Sequence, residues 1–187
     1  YRPLPQNNRL LWAFLLILGL GVGEALYGQP SFIAHDIKTD AAGARSVSAA
    51  DVDGDGDMDV LSASTDTIAW YENDGSENFT TRAISTVAGR AWSVLAADVD
   101  GDSDVDVLSA SRNGTIAWYE NDGSESFTTR TISTSANDAR FVNVADVDGD
   151  GDLDVLSASN GDDTVAWYEN DGSENFTAHI IANNADG

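Results

Sequence analysis

The stretch that decides the fold is DVDGDGDMDVLSAS, from Asp51 to Ser64, which returns as DVDGDSDVDVLSAS at Asp98–Ser111 and as DVDGDGDLDVLSAS at Asp146–Ser159. The three copies start 47 and 48 residues apart. Each is followed by T-[IV]-A-W-Y-E-N-D-G-S-E and then by F-T-x-[RH]-x-I. Repeats of about 20 to 50 residues are typical of solenoids, propellers and arrays, in which each unit buries its apolar face against its neighbours.

Each repeat has room for four short extended segments. They are rich in Val, Ile, Thr and aromatic residues, as β-strands are. The turn Asn73-Asp74-Gly75 favours the positive φ that a hairpin requires. No stretch after residue 30 has apolar residues at helical spacing over ten positions, which argues against helices. In the first unit we predict strands at Ser46–Ala50, Val60–Ser64, Thr67–Glu72 and Phe79–Ser85.

The fold class that follows is all-β. Four antiparallel strands in each repeat correspond to one blade of a β-propeller. The sequence therefore predicts three four-stranded blades of an incomplete propeller within residues 31–187, at about residues 45–84, 92–132 and 140–181. The recurring Trp70, Trp118 and Trp167 are expected to pack between blades. Trp92 stands where the other units have Arg45 and Arg140, which makes it the best candidate for a contact that does not repeat.

An earlier copy of the outer-strand phrase lies at Phe32–Ile37 (FIAHDI) and predicts a lone outer strand. The third unit already has its own outer strand, so this copy has no blade to complete and the arc does not close. We expect the chain to be a fragment of a longer secreted protein. The alternatives for these residues alone are an open arc that self-associates, or copies that assemble into a ring.

The charge balance excludes several functions. Among 187 residues there are 32 Asp and Glu against 9 Lys and Arg, a formal net charge of −23, and no Cys. Such an excess of negative charge repels the phosphates of nucleic acids and the surface of anionic membranes. Without cysteine there is no disulfide, thiolate metal site or cysteine nucleophile. At 42% hydrophobic residues the chain still has enough apolar surface to form a core.

The N-terminal segment resembles a secretory signal. Arg2 and Arg9 precede an apolar run from Leu10 to Gly23, which as a helix spans about 21 Å and is shorter than a bilayer core of about 30 Å. Residues 1–28 are therefore predicted to be a signal peptide or N-terminal hydrophobic segment. An uncleaved anchor that runs on to Tyr27 remains open. Export predicts a secreted protein, extracellular or at the cell surface, where calcium is commonly millimolar.

The acidic loop D-x-D-G-D-G-D-x-D is the predicted metal site. Four carboxylates a few ångströms apart repel one another unless a cation lies among them. We assign side-chain ligands to positions 1, 3, 5 and 9 and a main-chain carbonyl to position 7. The predicted ligands are Asp51, Asp53, Asp55, Asp57 and Asp59 in the first loop, Asp98, Asp100, Asp102, Asp104 and Asp106 in the second, and Asp146, Asp148, Asp150, Asp152 and Asp154 in the third.

Calcium fits this loop better than magnesium, because calcium accepts six to eight oxygen ligands in flexible geometry whereas magnesium requires an octahedron and retains water. About three calcium ions are expected, one in each repeat. The loop is not an EF-hand, since position 12 is Ser62, Ser109 or Ser157 rather than a bidentate Glu, and no helix follows. The alternative is an Asp/Gly-rich turn that binds no metal. In the second loop Ser103 replaces the Gly of the other two, and it would be strained if the position needs positive φ.

The combination of DVDGDGDMDVL with WYENDGSENFT resembles the FG-GAP or VCBS repeat family, whose relatives include the calcium-binding propeller of integrin alpha chains. The resemblance covers residues 31–187, although the family usually has about seven blades and this chain has three. It implies a propeller fold, calcium in the loop between the first two strands of each blade, and recognition or adhesion outside the cell.

Three functions remain open. The first is a non-catalytic module that binds an extracellular protein or glycan, with no nucleic acid and no membrane insertion after signal removal. The second is a lectin that uses Trp70, Trp118 and Trp167 as stacking platforms for sugars. The third is the propeller part of an extracellular hydrolase or lyase. Against an enzyme, His35 and His179 stand in the outer-strand phrase, no serine lies in a nucleophile-elbow setting, and the metal accounts for most carboxylates.

Overall fold

The computed structural model describes residues 33–184. The chain divides into two units at residues 36 and 37. Residues 33–36, the described part of the first unit, contain no helix or strand. The second unit contains twelve strands within its described residues. Nothing in residues 33–184 forms a helix long and apolar enough to cross a membrane. The predicted signal segment, residues 1–28, lies outside the described residues.

The twelve strands form three four-stranded antiparallel sheets, each built from consecutive strands in the order first, second, third, fourth. We call these sheets blade 1, blade 2 and blade 3. The strands are β1 (Ser46–Ala50), β2 (Asp59–Ala63), β3 (Ile68–Asn73) and β4 (Phe79–Ser85) in blade 1, β5 (Ala91–Ala97), β6 (Asp106–Ser111), β7 (Ile116–Asn121) and β8 (Phe127–Ser133) in blade 2, and β9 (Ala139–Ala145), β10 (Asp154–Ser159), β11 (Thr164–Asn170) and β12 (Phe176–Ala182) in blade 3.

The predicted fold is confirmed: the described chain is all-β and consists of blades of an open propeller. The strands β1 and β4 have the predicted bounds, and β2 begins one residue earlier than predicted, at Asp59. A tight turn at Thr65 and Asp66 joins β2 to β3 and is closed by a hydrogen bond from the Ser64 N–H to the Thr67 carbonyl at 2.9 Å.

The predicted lone strand at Phe32–Ile37 is wrong for its described part, because residues 33–37 form no strand. The phrase that forms β4, β8 and β12 is a strand where it pairs with the third strand of its own blade. The early copy shares Phe, His and Ile with this phrase but pairs with no strand among the described residues. Main-chain pairing, rather than the local pattern, therefore decides whether this phrase is extended.

The hydrophobic core lies between the blades rather than inside each sheet. One cluster joins Leu61 and Trp70 of blade 1 to Val94 of blade 2, and a second joins Trp118 of blade 2 to Val142 of blade 3. The indole of Trp70 meets the ring of Phe127 edge-on at 6.3 Å, and Trp118 meets Phe176 in the same way at 6.2 Å. Trp70 and Trp118 therefore pack between blades, as predicted.

Candidate metal centre

The three acidic loops connect the first and second strands of each blade and share three hydrogen bonds from main-chain N–H groups to aspartate side chains, and the loops of blades 2 and 3 have a fourth, from Gly101 to Asp98 and from Gly149 to Asp146. In blade 1 the Asp53 carboxylate accepts the Asp55 N–H at 3.2 Å, and the Asp55 carboxylate accepts the Asp57 N–H at 2.9 Å. The Asp51 carboxylate reaches across the loop and accepts the Gly56 N–H at 3.0 Å. The equivalent bonds recur in the other two loops. Each loop is thus wound by its own aspartates around a common point.

This winding brings predicted ligands together. In each loop three carboxylates place one oxygen each within 4.8 Å of the others. Positions 1 and 3 belong to the group in all three loops, whereas the third member is position 5 in blade 1 and position 9 in blades 2 and 3. The groups are Asp51, Asp53 and Asp55, then Asp98, Asp100 and Asp106, and finally Asp146, Asp148 and Asp154.

The aspartate at position 9 has a second role that the sequence does not predict. Asp59, Asp106 and Asp154 are completely buried. Both carboxylate oxygens of Asp106 accept main-chain N–H groups, from Val99 at 3.0 Å and from Asn121 at 2.8 Å. The same two bonds form in the other blades. This carboxylate therefore ties the start of the acidic loop to the end of the third strand.

Burial also changes how readily these groups ionise. Removal from water raises the pKa of Asp106 from 3.8 to about 6, although the two N–H donors oppose the change. Partial burial likewise raises the pKa of Asp53 and Asp100, and neighbouring carboxylates add to the effect. Several negative charges close together in each loop therefore destabilise the folded protein, and a bound cation would reduce that destabilisation.

The residues fit a calcium ion in their donor chemistry. All the gathered ligands are carboxylate oxygens, the hard donors that calcium prefers. The Asp51 Oδ1 atom is buried and has no hydrogen-bond partner among the described residues, so it is an acceptor that an ion would satisfy. The position-7 side chains Asp57, Asp104 and Asp152 lie instead against the glycines of the following hairpin. A ligand from position 7 would thus be the main-chain carbonyl, which stays a prediction.

Position 6 of the loop does require positive φ, as the sequence suggested. The φ angle is 97° at Gly56 and 102° at Gly151, and Ser103 adopts 81° at the same position in blade 2. A Cβ added at Gly56 or Gly151 would meet no atom within 4 Å. The energetic cost at Ser103 therefore comes from its own left-handed backbone conformation and not from contact with other residues.

We predict that the reciprocal exchanges Ser103→Gly and Gly56→Ser change stability in opposite directions. Ser103→Gly relieves the left-handed strain and should raise the free energy of unfolding by about 0.5 to 1 kcal/mol, since the gain exceeds the added entropy of the unfolded chain. Gly56→Ser should lower it by a similar amount. Urea unfolding of the two variants and the parent chain measures both, and equal signs for the two exchanges would refute the assignment of strain.

A second type of acidic group spans neighbouring blades and already has a cationic partner. Asp53 and Glu72 of blade 1 lie within 4.8 Å of Glu125 of blade 2. Arg82 pairs with Glu72 and, at 2.6 Å, with Glu125. Its guanidinium also lies over the Trp70 ring, at 5.1 Å. Blades 2 and 3 repeat the arrangement around Arg130. We interpret these groups as links between blades.

The tryptophans that a sugar could stack on are largely covered. Trp70 and Trp118 are buried between blades. Trp92, the non-repeated residue, lies between two guanidinium groups, with Arg45 at 4.7 Å and Arg140 at 4.1 Å from the ring centre. Both arginines are its equivalents in the adjacent blades, so cation–π stacking continues from blade to blade. Trp167 is partly exposed, and its ring stacks on His179 at 4.6 Å.

The asparagine of the W-Y-E-N phrase is a functional position that sequence analysis missed. The Asn121 side chain donates to the Val52 carbonyl in the loop of blade 1, at 3.1 Å, and to the Val105 carbonyl in its own loop, at 3.2 Å. Asn170 makes the equivalent bonds between blades 2 and 3. These two asparagines thus couple the acidic loops of blades 1 and 2 to the following blade. The recurrence of this asparagine in phase with the loop was the available signal.

Comparison with known proteins supports this description. The profile of the FG-GAP-like repeat matches residues 51–109, 98–157 and 146–187. No curated protein sequence matches the chain significantly. Among solved structures the chain is similar to an Agrocybe aegerita lectin described as specifically recognising non-reducing terminal N-acetylglucosamine, with a TM-score of 0.54 and 20% identity. The match covers 74% of this chain and 39% of the lectin chain.

Proposed function

Because the chain belongs to the FG-GAP-like repeat family, we propose that it is a secreted or cell-surface, calcium-binding propeller module that recognises a protein or glycan and is not an enzyme. The observation that carries the proposal is the threefold recurrence of one acidic loop, wound by the same hydrogen bonds and gathering three carboxylates each time. A bound calcium ion would neutralise those carboxylates and hold the loop rigid for recognition.

The links between loops and blades explain why calcium would matter to the whole module. The loop of blade 1 is bonded to Asn121 of blade 2, and the loop of blade 2 is bonded to Asn170 of blade 3. An ion that orders one of these loops therefore also fixes the main-chain carbonyl to which the asparagine of the next blade donates. We expect calcium to stiffen the contacts between blades as well as the loops.

A non-catalytic role is supported by what the titratable side chains already do. Glu72 and Glu120 are paired with arginines, and His179 pairs with Glu169 at 2.6 Å. Each of these glutamates stands at the same repeat position on the third strand, where it pairs with a basic side chain of the fourth strand. A catalytic pair would instead need a nucleophile or base held at a cleft for substrate.

For the ligand, a glycan is supported by the similarity in fold to a sugar-binding lectin. The burial of Trp70 and Trp118 argues that such a ligand would not be bound by stacking on the repeated indoles. Recognition would depend instead on exposed loops, a mode that suits a protein ligand equally well. A glycan array and a binding screen against extracellular proteins, both in calcium, separate the two ligand classes.

We predict that calcium raises the melting temperature of the chain. At affinities near 10⁻⁴ M, which are typical of extracellular modules, millimolar calcium stabilises each site by about 1 to 1.5 kcal/mol. Excess chelator should remove this gain, and magnesium should restore it poorly. Differential scanning calorimetry in calcium, magnesium and chelator measures the three states.

The matched control is the triple variant Asp51→Asn, Asp98→Asn, Asp146→Asn. Asparagine keeps an oxygen that can accept the N–H across the loop but removes one negative charge from each group. The variant should fold and show little response to calcium. If the parent chain had the same melting temperature in calcium and in chelator, the proposed calcium binding would be refuted.

A further inference from the structure

Four arginines lie at the end of the blades opposite to the acidic loops. The acidic loops follow the first strand of each blade, so the start of the first strand and the turn after the second strand are at the other end. Arg90 directly precedes β5 and Arg112 directly follows β6, and the Arg112 N–H donates to the Arg90 carbonyl at 3.0 Å. Arg45 directly precedes β1 and Arg140 is the second residue of β9. We call these four side chains the arginine patch.

The arginine patch has a single carboxylate partner among the described residues. Asp138 pairs with Arg140 at 2.7 Å and with Arg112 at 3.6 Å, and the Arg140 guanidinium holds the pKa of Asp138 below its usual value. Arg45 and Arg90 form no ion pair within residues 33–184. The turns between the second and third strands of blades 1 and 3 carry three further acidic residues that pair with no arginine of the patch: Asp66, Asp162 and Asp163. Around Trp92 the surface is therefore locally positive, in a chain whose net charge is −23.

Trp92 holds two of the guanidinium groups in place. Its ring lies between Arg45 at 4.7 Å and Arg140 at 4.1 Å. The N–H donors of a guanidinium lie in its plane, so stacking on an aromatic ring leaves them available for hydrogen bonds. Arg45 uses one donor for the Ala91 carbonyl, at 3.2 Å, and Arg140 uses one for Asp138. A guanidinium that is already fixed loses less conformational entropy when it binds an anion.

The repeat does not require these arginines. Thr65 and Asn160 stand at the position of Arg112, and Gly43 stands at the position of Arg90. Arg90 has a φ angle of 64°, a left-handed conformation that favours glycine, and Gly43 has 69°. Since the other blades form with different residues here, packing of a blade does not account for the arginines. A strained non-glycine residue is also an indication of function.

Arg112 and Arg140 are the accessible part of the patch. They lie at the junction of blades 2 and 3, both of which are described, and their side chains are 52% and 38% exposed. The exposed residues Asn137 and Asn160 lie beside them, and the Asn160 amide donates to the Asp138 carboxylate at 3.3 Å. Guanidinium groups bind oxyanions, and amides exchange hydrogen bonds with hydroxyl groups. The junction thus offers cationic donors next to neutral polar groups.

We propose that Arg112 and Arg140 bind the carboxylate or sulfate group of an acidic saccharide at this junction, an assignment that rests on the recognition function proposed above and narrows its ligand to a glycan. The net charge of −23 repels a long polyanion or the surface of an acidic protein. A saccharide with one anionic group among neutral hydroxyls avoids that repulsion. The site lies at the opposite end of the blades from the acidic loops, so it does not use calcium as a ligand to the sugar.

Binding of three matched oligosaccharides to the full chain in calcium tests the proposal. One is neutral, one carries a single glucuronate and one carries a single sulfate, and biolayer interferometry gives the affinities. Both acidic oligosaccharides should bind about tenfold more tightly than the neutral one, since hydrogen bonds to charged groups are the stronger ones. Arg112→Thr introduces the residue that blade 1 has at this position and should remove about tenfold of the affinity for the acidic ligands only.

Two further variants separate the site from the general charge of the chain. Lys38→Gln removes the same charge from a residue outside the patch, one that pairs with Asp40, and should leave all three affinities unchanged. Arg140→Lys keeps the charge but loses the planar group stacked on Trp92, and it should weaken binding of both acidic ligands. Circular dichroism melts check that each variant folds as the parent chain does.

Equal affinities for the neutral and acidic oligosaccharides would overturn the proposal, as would equal effects of Arg112→Thr and Lys38→Gln. Binding of only one acidic oligosaccharide, lost in Arg112→Thr, would support it and identify the anion. If a glutamate-rich peptide bound in place of both acidic oligosaccharides, the patch would belong to a protein ligand and the proposal would be wrong. The recognition function would survive that result, or the binding of a neutral glycan alone, and would fail only if no glycan and no extracellular protein bound.

Discussion

Replacement of Asp106 by alanine is expected to lower the free energy of unfolding by about 4 kcal/mol in calcium. The substitution leaves the Val99 and Asn121 N–H groups without their acceptor, in a site that is fully buried. An unsatisfied buried donor costs about 1 to 3 kcal/mol, and two of them account for about 3 kcal/mol. The remaining 1 to 1.5 kcal/mol is the stabilisation by the calcium ion that loop 2 would no longer bind.

Urea unfolding in calcium and in chelator separates the two contributions. In chelator the loss should be about 3 kcal/mol, because the main-chain role of Asp106 does not require the ion. The variant Asp106→Asn should lose less, since its side-chain oxygen can still accept one of the two N–H groups. Asp102→Ala is the matched control in the same loop, because Asp102 is exposed and lies outside the group of three. If Asp106→Ala and Asp102→Ala were equally stable in chelator, the main-chain role of Asp106 would be refuted.

The fold was predictable because its signals are local and repeated. A strand needs alternating or β-favouring side chains and a turn at its end, and both lie within ten residues of each other in every repeat. The bounds of β1 and β4 agree with the prediction for this reason. The segment at residues 33–37 is the exception, since it resembles the outer-strand phrase but pairs with no strand among the described residues.

The grouping of the aspartates in the candidate metal centre was predictable, but the role of each aspartate was not. From the sequence alone, Asp51 and Asp59 are equivalent predicted ligands, because both are carboxylates in one loop. The structure distinguishes them by burial, which arises from packing of the loop against the third strand and the next blade. Asp59 is completely buried with two N–H donors, whereas Asp51 is partly buried and keeps one oxygen without a partner among the described residues.

The contacts between blades were the least accessible to sequence analysis. Asn121 and Val52 are 69 residues apart, and no local pattern connects them. The repeat predicts that Asn73, Asn121 and Asn170 have similar surroundings, yet Asn73 belongs to the first blade and is only half-buried. Burial of these equivalent residues therefore depends on which blade they belong to. The three asparagines can be compared directly, because they stand at the same position of each repeat.

Replacement of Asn121 by alanine is expected to lower the free energy of unfolding by about 2 to 3 kcal/mol. The substitution removes the donor of two bonds, to the Val52 carbonyl in the previous blade and to the Val105 carbonyl in its own loop. Asn121 is buried, so water cannot readily replace the lost donor at these carbonyls. Asn170→Ala should have the same effect, because its side chain bonds to Val99 and Leu153 in the same way.

The control is Asn73→Ala, the same substitution at the same repeat position. Asn73 donates to the Met58 carbonyl of its own blade, at 3.1 Å and in an exposed setting, so its loss should cost about 0.5 to 1 kcal/mol. Urea unfolding of the three variants gives the differences. Asn73→Ala and Asn170→Ala both also remove the acceptor of a glycine N–H in the following turn, so the comparison of these two isolates the bond between blades. Equal losses at all three positions would contradict the coupling of the acidic loop to the next blade. A larger loss at Asn121 and Asn170 would support the coupling of the loops of blades 1 and 2 to the following blade.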